Sequence, residues 1–509
     1  MSGFILLLPL LLCGMVTTYT SVALPQMHLG LDYSSSFGPL SFLIAPVGSI
    51  SVGLIIDRYG RRTALLWNIL PGIFGWLLLY LDLTVHTTLL GQVLNGLLCG
   101  ASGYPSQVYA GECVMVNDVR MRNRFLSWIS ICNASGMFLT YILGYFLDYR
   151  KIAAVGLVLA VVTFLLIFCF IPESPLWLYL QGRTGDAEWS QKKLGTRPSA
   201  SDRRRVSVLL SDEIVESRWS MVKASFMKLK RKDVYKPLLI SILLVTSLSF
   251  IGGMSVMFYM VEIISKPKNT ASYTSFSPKL YFVNDTVHHV EDTYMYSIIA
   301  GGVMVVANVF MSIVLPLVGV KTILIVPLLG MGLGMATEGY VTLHKYSDSL
   351  FTWHLAAMWL ITFTYTSSIL MIPDTMLADL FPVDAKGFAS IPFLWESVLV
   401  AGVSKLHPYV FQMVQGYLYY FYGSMCVVSA VIVFLFIPEI VGRTLIEIND
   451  GFLAYYFLCT KIITYVILFQ QTKRRKNTIQ IVNEEYRYLI NTLTIYSRGL
   501  LQPWDKKFF

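Results

Sequence analysis

The feature that most constrains this chain is a series of apolar blocks, each about as long as a lipid bilayer is thick. A helix needs roughly 20 apolar residues to cross the hydrocarbon core. In lipid, every backbone N–H and C=O must be paired, either along a helix or around a closed barrel. Barrel strands alternate apolar and polar residues, whereas these blocks are continuously apolar. The sequence therefore predicts an all-α membrane protein.

Twelve blocks have this character, and a charged stretch divides them into six and six. The predicted helices cover residues 4–24, 39–57, 63–82, 88–111, 125–147, 152–171, 237–263, 293–317, 322–343, 353–377, 387–407 and 414–437. The predicted domains are an N-terminal six-helix half (1–172), a cytosolic linker with short amphipathic helices (173–236), a C-terminal six-helix half (237–450) and a tail with an extra interfacial or apolar segment (451–509). We expect twelve transmembrane helices in two six-helix pseudo-repeats.

The formal net charge of +9 does not indicate nucleic-acid binding, because the basic residues lie in short loops between apolar blocks. Cytosolic loops of membrane proteins carry an excess of Lys and Arg. The loops after the second, fourth and sixth helices are basic, whereas the loop after the first has no Lys or Arg. We therefore expect a multi-pass protein of the plasma membrane with both termini in the cytosol. The sequon at Asn284 then lies outside as a glycosylation site.

Patterns that carry catalysis or bind metals do not stand out in the sequence. The seven cysteines are scattered and form no CxxC pair, so we expect neither a zinc site nor a disulfide framework. The sequence offers no hydrolase triad, phosphate-binding loop or cluster of metal ligands. We expect no enzyme activity, no catalytic residue, no cofactor and no metal.

The clearest motif is Gly-Leu-Ile-Ile-Asp-Arg-Tyr-Gly-Arg-Arg at 53–62, between the second and third predicted helices. We expect Gly53 to let two helices approach closely and Gly60 to allow a tight turn. Asp57 is expected to cap and pair at the membrane surface. The arginines offer forked donors to carboxylates on neighbouring helices.

Further motifs are Tyr109-x-x-Glu112 followed by Arg122, Pro-Glu-Ser-Pro-Leu-Trp-Leu at 172–178 and Pro-Glu-Ile-Val-Gly-Arg-Thr at 438–444. Together they resemble the sugar porter family of the major facilitator superfamily, in particular the insect facilitated trehalose transporters. The resemblance implies the major facilitator fold, a monomer, and facilitated diffusion of a hexose or trehalose by alternating access. It also implies a cytosolic gating network of Asp57, Arg58, Arg61, Glu112, Arg122, Glu173, Asp379, Glu439 and Arg443. Breaking this network would let the two halves rock.

The positions at which sugar porters hold sugar hydroxyls with Gln and Asn are changed in this chain. Ser130, Ser249 and Met304 stand at such positions, and none of them has an amide that can both donate and accept. By the same resemblance, the substrate path includes Ser130, Ser249, Gly252, Tyr259 and Met304. We add Asp374 and Glu396 to the predicted path because they are acids within predicted spans.

Two alternatives to a sugar carrier remain open. Asp374 and Glu396 lie within predicted spans, and an acid in lipid is costly, so a functional role is one interpretation. The other is that Asp374, five residues before Asp379, lies near the cytosolic end of its helix. The chain could be a carrier of the same fold whose cationic or proton-coupled substrate uses Asp374, or a non-transporting, receptor-like relative. The first helix has no Asp, Glu, Lys, Arg or His between Phe4 and Leu24, which favours facilitated diffusion over proton symport.

Overall fold

The computed structural model describes residues 2–27, 30–113, 119–194, 232–265, 287–315, 317–344, 348–370 and 390–437. The long helices of the first half are α1 (Leu8–Ala23), α2 (Leu31–Tyr59), α3 (Arg61–Leu81), α4 (Val85–Cys113), α5 (Val119–Phe146) and α6 (Tyr149–Phe170). Those of the second half are α7a (Lys232–Ser249), α7b (Gly253–Ser265), α8 (Val287–Val314), α9 (Val320–Leu343), α10 (Asp348–Thr364), α11 (Ser390–Val414) and α12 (Tyr417–Phe436). If α7a and α7b are counted as one broken helix, the described residues contain the twelve predicted helices.

The helices have the length and surface of membrane spans. Eight of those described are long and apolar enough to cross a bilayer, and α1 is a shorter apolar helix. Exposed apolar side chains such as Leu54, Phe146 and Phe434 lie on the surface of the bundle, where lipid is the solvent. The chain is a multi-pass membrane protein, and the predicted all-α fold is confirmed.

Three local features depart from the predicted helices. Helix α2 begins at Leu31 rather than at 39 because its polar start folds back on itself: the Ser34 and Ser36 hydroxyls donate to the Gly30 and Asp32 carbonyls. The seventh helix is broken at Gly252, whose φ of +73° suits glycine. Helix α10 passes into a π-helical turn at Tyr365–Ile369.

Glycines make the closest helix crossings of the first half. A Cβ on Gly96 or Gly100 of α4 would overlap the carbonyl oxygen of Ser41 or Ala45 on α2. Such small residues let the backbones of membrane helices pack directly against each other. Gly53 is not part of a crossing, because a Cβ there would meet nothing within 4 Å. The prediction that Gly53 brings two helices together is therefore wrong.

Three pairs of described helices make the main contacts between the two halves: α1 with α7b, α2 with α11, and α5 with α8. After α6, the short helices Pro175–Leu180 and Thr184–Leu194 return to the first half, where the Ser190 hydroxyl donates to the Glu173 carbonyl. Most of the predicted linker and all of the predicted tail, 451–509, lie outside the described residues.

Candidate functional site

The turn between α2 and α3 holds an ion pair between two helices of the first half. Arg61 Nε lies 3.0 and 2.9 Å from the two carboxylate oxygens of Glu112 on α4, and Arg61 Nη2 lies 2.7 Å from one of them. Arg61 Nη1 donates to the Ile56 carbonyl at 3.0 Å, and the Ser174 hydroxyl donates to Glu112. The pair is largely buried, with side chains 11% and 14% exposed. We call this end of the bundle the basic end.

The Glu173 carboxylate caps the N-terminus of α3. One of its carboxylate oxygens accepts from the backbone N–H groups of Arg61, Arg62 and Ser174 at 2.7, 2.9 and 3.0 Å. The first N–H groups of a helix have no partner within the helix and carry its positive dipole end. Gly60 has a φ of +98° and leaves no room for a Cβ beside Glu173. The expected tight turn at Gly60 is present, and its role is to admit this carboxylate.

The other residues of the predicted gating network are less fully described. Arg58 is exposed, with its guanidinium 5.4 Å from the centre of the Tyr59 ring. Asp57 and Arg122 lie on α2 and α5, but their side chains are outside the described part. Asp379, Glu439 and Arg443 also lie outside it, as does the predicted glycosylation site Asn284.

The opposite end of the bundle is closed by hydrogen bonds between the halves, and we call it the sealed end. Gln26, just after α1, donates from Nε2 to the Tyr294 hydroxyl of α8 at 3.0 Å and accepts from the Tyr149 N–H at 2.8 Å. The Tyr294 hydroxyl also lies 3.4 Å from the Val22 carbonyl oxygen. Gln26 thus joins α6 of the first half to α8 of the second.

Two further contacts close the sealed end beside Gln26. The backbone N–H of Val261 on α7b donates to the Ser21 hydroxyl of α1 at 3.0 Å. The Tyr409 hydroxyl of α11 donates to the Asp32 carboxylate at the start of α2. Three pairs of helices from opposite halves are therefore held together at this end.

The predicted path residues occupy different places along the contact between the halves. The Tyr259 hydroxyl lies 3.5 Å from the Ser35 carbonyl oxygen of α2 and 3.3 Å from that of Ser404 on α11. Gly252 packs against the ring of Tyr422, where a Cβ would not fit. Met304 is buried on α8, and the Ser249 hydroxyl is bonded to its own helix at Val245. Ser130 and Glu396 are half-buried on α5 and α11, and Asp374 lies outside the described residues.

A buried histidine on α11 organises the aromatic residues around Tyr259. The His407 ring stacks against Tyr259 with centroids 5.5 Å apart and against Tyr422 with centroids 5.9 Å apart. Its Nδ1 lies 3.1 Å from the Tyr422 hydroxyl oxygen. These rings connect α7b, α11 and α12, so Tyr259 is fixed by the second half while it contacts the first.

The second half contains a buried ionisable pair that was not predicted from the sequence. Glu338 on α9 and His354 on α10 are each 2% exposed, with His354 Nδ1 2.8 Å from a Glu338 carboxylate oxygen. The other carboxylate oxygen lies 3.4 Å from the Thr342 hydroxyl. An acid inside an apolar block was the available signal, because Glu338 lies within the predicted span 322–343 just as Asp374 lies within 353–377.

Asp82 forms a polar cluster after the end of α3. Its carboxylate accepts from the Tyr149 hydroxyl at 2.6 Å, from Arg150 Nη2 at 2.9 Å and from the Thr88 hydroxyl at 2.9 Å. Burial by itself raises the pKa of Asp82, but these hydrogen bonds and the Arg150 charge outweigh it and hold the pKa below its ordinary value. The cluster stabilises the sealed end of the first half.

Two six-helix halves that close around one end of their common contact define a membrane carrier of the major facilitator type. Residues 35–452 match the model of the sugar (and other) transporter family, and the chain belongs to that family. The family consists of transporters, so the chain is a transporter and not an enzyme.

Similar proteins include sugar transporters of insects and plants. The chain is 26% identical over 458 residues to the facilitated trehalose transporter of Apis mellifera ligustica, a match covering 87% of this chain and 86% of the relative. It is 27% identical over 459 residues to sugar transporter ERD6-like 6 of Arabidopsis thaliana, covering 86% of each. The inward-open structure of the xylose transporter XylE from E. coli has a TM-score of 0.66 at 18% identity and covers 88% of this chain and 98% of XylE. At this identity the likeness to XylE shows the fold alone.

Proposed function

We propose that the protein is a facilitative sugar carrier that works by alternating access. The observation that carries this proposal is the set of hydrogen bonds that join the two halves at the sealed end. At the sealed end, Gln26, Ser21 and Asp32 bond to helices of the second half. A closed end of this kind suits a carrier that keeps its path shut on one side of the membrane, as alternating access requires.

The proposed orientation has the basic end in the cytosol and the sealed end on the outer side of the membrane. The support is the charge of the loops, because Arg58, Arg61 and Arg62 lie at this end and cytosolic loops are rich in Lys and Arg. We propose a monomer in the plasma membrane with both termini in the cytosol and Asn284 glycosylated outside. Loss of a glycosidase-sensitive mobility shift in Asn284→Gln tests this orientation. A shift that persists, or cytosolic labelling of a cysteine placed at Asn284, would contradict it.

The predicted substrate path and gating network keep their roles in this proposal. Ser130, Ser249, Gly252, Tyr259, Met304, Asp374 and Glu396 would line or shape the path. Arg61, Glu112 and Glu173 would shape the basic end, together with Asp57, Arg58, Arg122, Asp379, Glu439 and Arg443. Trehalose or a hexose is the proposed solute, since the relatives include trehalose transporters and other sugar transporters. Facilitated diffusion is supported by the lack of Asp, Glu, Lys, Arg or His in the α1 sequence.

Uptake of labelled trehalose and D-glucose into oocytes tests this function. We expect saturable uptake that is insensitive to a protonophore and is driven only by the solute gradient. Water-injected oocytes measure the background, and surface biotinylation measures the amount of carrier. Surface expression without uptake of either sugar would overturn the proposal. Uptake of amines in place of sugars would favour the cationic alternative.

A further inference from the structure

Several polar side chains in the first half are buried with atoms that have no hydrogen-bond partner. Among the residues that the structure describes, these include Asn68, Trp76, Gln92, Asn95, Asn133 and Tyr141. A buried polar atom without a partner is costly, and each one in a native protein calls for an explanation such as a water or a ligand. Where each side chain lies in the bundle indicates whether a water or a ligand could bond to its unpartnered atom.

Two of these side chains lie at contacts within the first half. Asn95 of α4 packs against Gly75 of α3, and Trp76 of α3 packs against Gly156 of α6. Gln92 and Tyr141 differ, because both lie beside residues of α1 that the second half covers. Each is fully buried.

Gln92 and Tyr141 reach two adjacent residues of α1. Gln92 Nε2 lies 3.4 Å from the Thr20 hydroxyl oxygen, which leaves Gln92 Oε1 without a partner. The Tyr141 hydroxyl is next to the Ser21 hydroxyl but has no hydrogen bond of ordinary geometry. The four side chains form a polar cluster of two hydroxyls on α1, an amide on α4 and a phenol on α5.

Helix α7b of the second half covers this cluster. The ring of Phe258 and the Thr20 methyl group lie together against Gly38 of α2. The backbone N–H of Val261, one turn after Phe258, donates to the Ser21 hydroxyl. Helix α7b therefore lies over both Thr20 and Ser21. Any motion that opens the sealed end separates α7b from α1 and uncovers the cluster.

The cluster suits a neutral solute rather than an ion. An amide and a hydroxyl can each donate and accept, as a sugar hydroxyl does. The α1 sequence has no charged residue. A cation would find no described counter-charge among Thr20, Ser21, Gln92 and Tyr141.

We propose that Thr20, Ser21, Gln92 and Tyr141 form a hydrogen-bonding site for a neutral polyhydroxyl solute, and that the opening of the sealed end exposes this site. The proposal rests on the proposed sugar transport and assigns its first recognition step. Gln92 Oε1 accepts from a solute hydroxyl and the Tyr141 hydroxyl bonds to another, so the two unpartnered atoms gain partners when solute binds. In the sealed state α7b excludes the solute.

The test compares Tyr141→Phe and Gln92→Met with Asn95→Leu in oocytes. The first two variants remove a polar group of the proposed site with little change in volume. Asn95→Leu is the control, because it removes a polar group outside the proposed site. Asn95 is as buried as Gln92, lies about one turn from it on α4 and packs against Gly75. We expect the KM for trehalose or D-glucose uptake to rise about 2- to 12-fold in each site variant, which corresponds to one hydrogen bond. The KM of Asn95→Leu should stay within about twofold of wild type.

A deoxyglucose series separates binding from a purely structural role. In wild type, removal of the sugar hydroxyl that Tyr141 contacts raises the KM. In Tyr141→Phe the same removal costs nothing further, because the bond is already lost. Equal sensitivity of the variant and wild type to every deoxy sugar would overturn the site.

The outcomes also distinguish this inference from the proposed function. If wild type takes up neither sugar, sugar transport fails and the site fails with it. If wild type takes up sugar with the same KM as Tyr141→Phe and Gln92→Met, only the site is overturned. A rise in KM for Asn95→Leu equal to that of the site variants would also overturn it, since buried amides would then act through stability alone.

Discussion

At the residue scale, the Arg61–Glu112 pair is the best-defined charge interaction of the basic end. The forked guanidinium makes three close contacts with one carboxylate and a fourth with the Ile56 carbonyl. Removing one partner of a buried ion pair leaves the other desolvated and uncompensated. A lysine cannot replace the fork, because it offers a single compact charge.

Arg61→Gln should therefore destabilise the protein by about 3 kcal/mol. The check is thermal unfolding of the detergent-purified carrier. Arg58→Gln on the exposed neighbour is the control and should change stability by no more than about 0.5 kcal/mol. Equal losses in the two variants would mean that net charge at this end matters and the pairing does not.

Asp82 gives the sealed end a predictable response to acid. Its pKa is held below the ordinary value of 3.8, so its contribution to stability is complete above that value and is lost as pH falls through the lower pKa of the folded state. The stability difference between wild type and Asp82→Asn should be constant from pH 7 to about pH 5 and shrink below about pH 4. A difference that grows on acidification would refute this account of the cluster.

The Arg61–Glu112 pair and the Glu173 carboxylate at the start of α3 could be anticipated from sequence motifs. The buried polar groups within the helices could not. Arg61, Glu112 and Glu173 lie in the polar segments between apolar blocks. The order of the helices places these segments at the same end of the bundle. Glu338 and His354 lie on separate helices, and nothing in either apolar block indicates that the two side chains pair. The unpartnered atoms of Gln92 and Tyr141 depend on tertiary packing and have no sequence signature.

At the element scale, the close contact between α2 and α4 depends on glycines of α4, which have no Cβ. Gly100→Ala should cost about 2 kcal/mol or more, because the added carbon overlaps the Ala45 carbonyl oxygen and forces the helices apart. Gly53→Ala on α2 is the matched control, since a Cβ there meets nothing within 4 Å. It should be neutral or stabilising by up to about 1 kcal/mol, as expected from helix propensity. Thermal unfolding of both variants decides the matter, and destabilisation by Gly53→Ala would contradict the described packing.

The tie between α9 and α10 gives a second prediction at this scale. His354→Leu should cost about 3 kcal/mol because it strands the Glu338 carboxylate in the bundle. Replacing both residues with leucine should recover most of that loss, since a buried pair exchanged for apolar groups is often neutral. A double-mutant cycle on unfolding free energies measures the coupling. Additive losses would show that the two side chains do not depend on each other.

The helices themselves were predictable, but their interruptions were not. The apolar blocks locate twelve helices because bilayer thickness sets their length. The break at Gly252 lies within a continuous apolar run, 237–263, where the Tyr422 ring packs against the glycine. The early start of α2 depends on serines that bond back to their own turn. Both features involve specific side-chain contacts, which a hydropathy pattern does not predict.

At the scale of the whole molecule, the proposed transport cycle requires the sealed end to separate. Ser21 and Val261 lie close together across the two halves, with the Val261 N–H bonded to the Ser21 hydroxyl at 3.0 Å. A disulfide needs this kind of close backbone approach. A cross-link here would hold α1 against α7b and keep the path from opening at this end.

Oxidised Ser21→Cys/Val261→Cys should therefore lose nearly all sugar uptake and regain it when a reductant is added. Each single cysteine variant, treated in the same way, controls for effects of the oxidant on the native cysteines. Surface biotinylation confirms that the locked carrier remains in the membrane. Undiminished uptake by the cross-linked protein would rule out alternation at this end.

The Arg61–Glu112 pair also bears on the energetics of movement between the halves. Both charges belong to the first half, so movement of the second half does not separate them. Because the pair is largely buried, salt screens it little. The stability that it contributes should therefore change little with ionic strength.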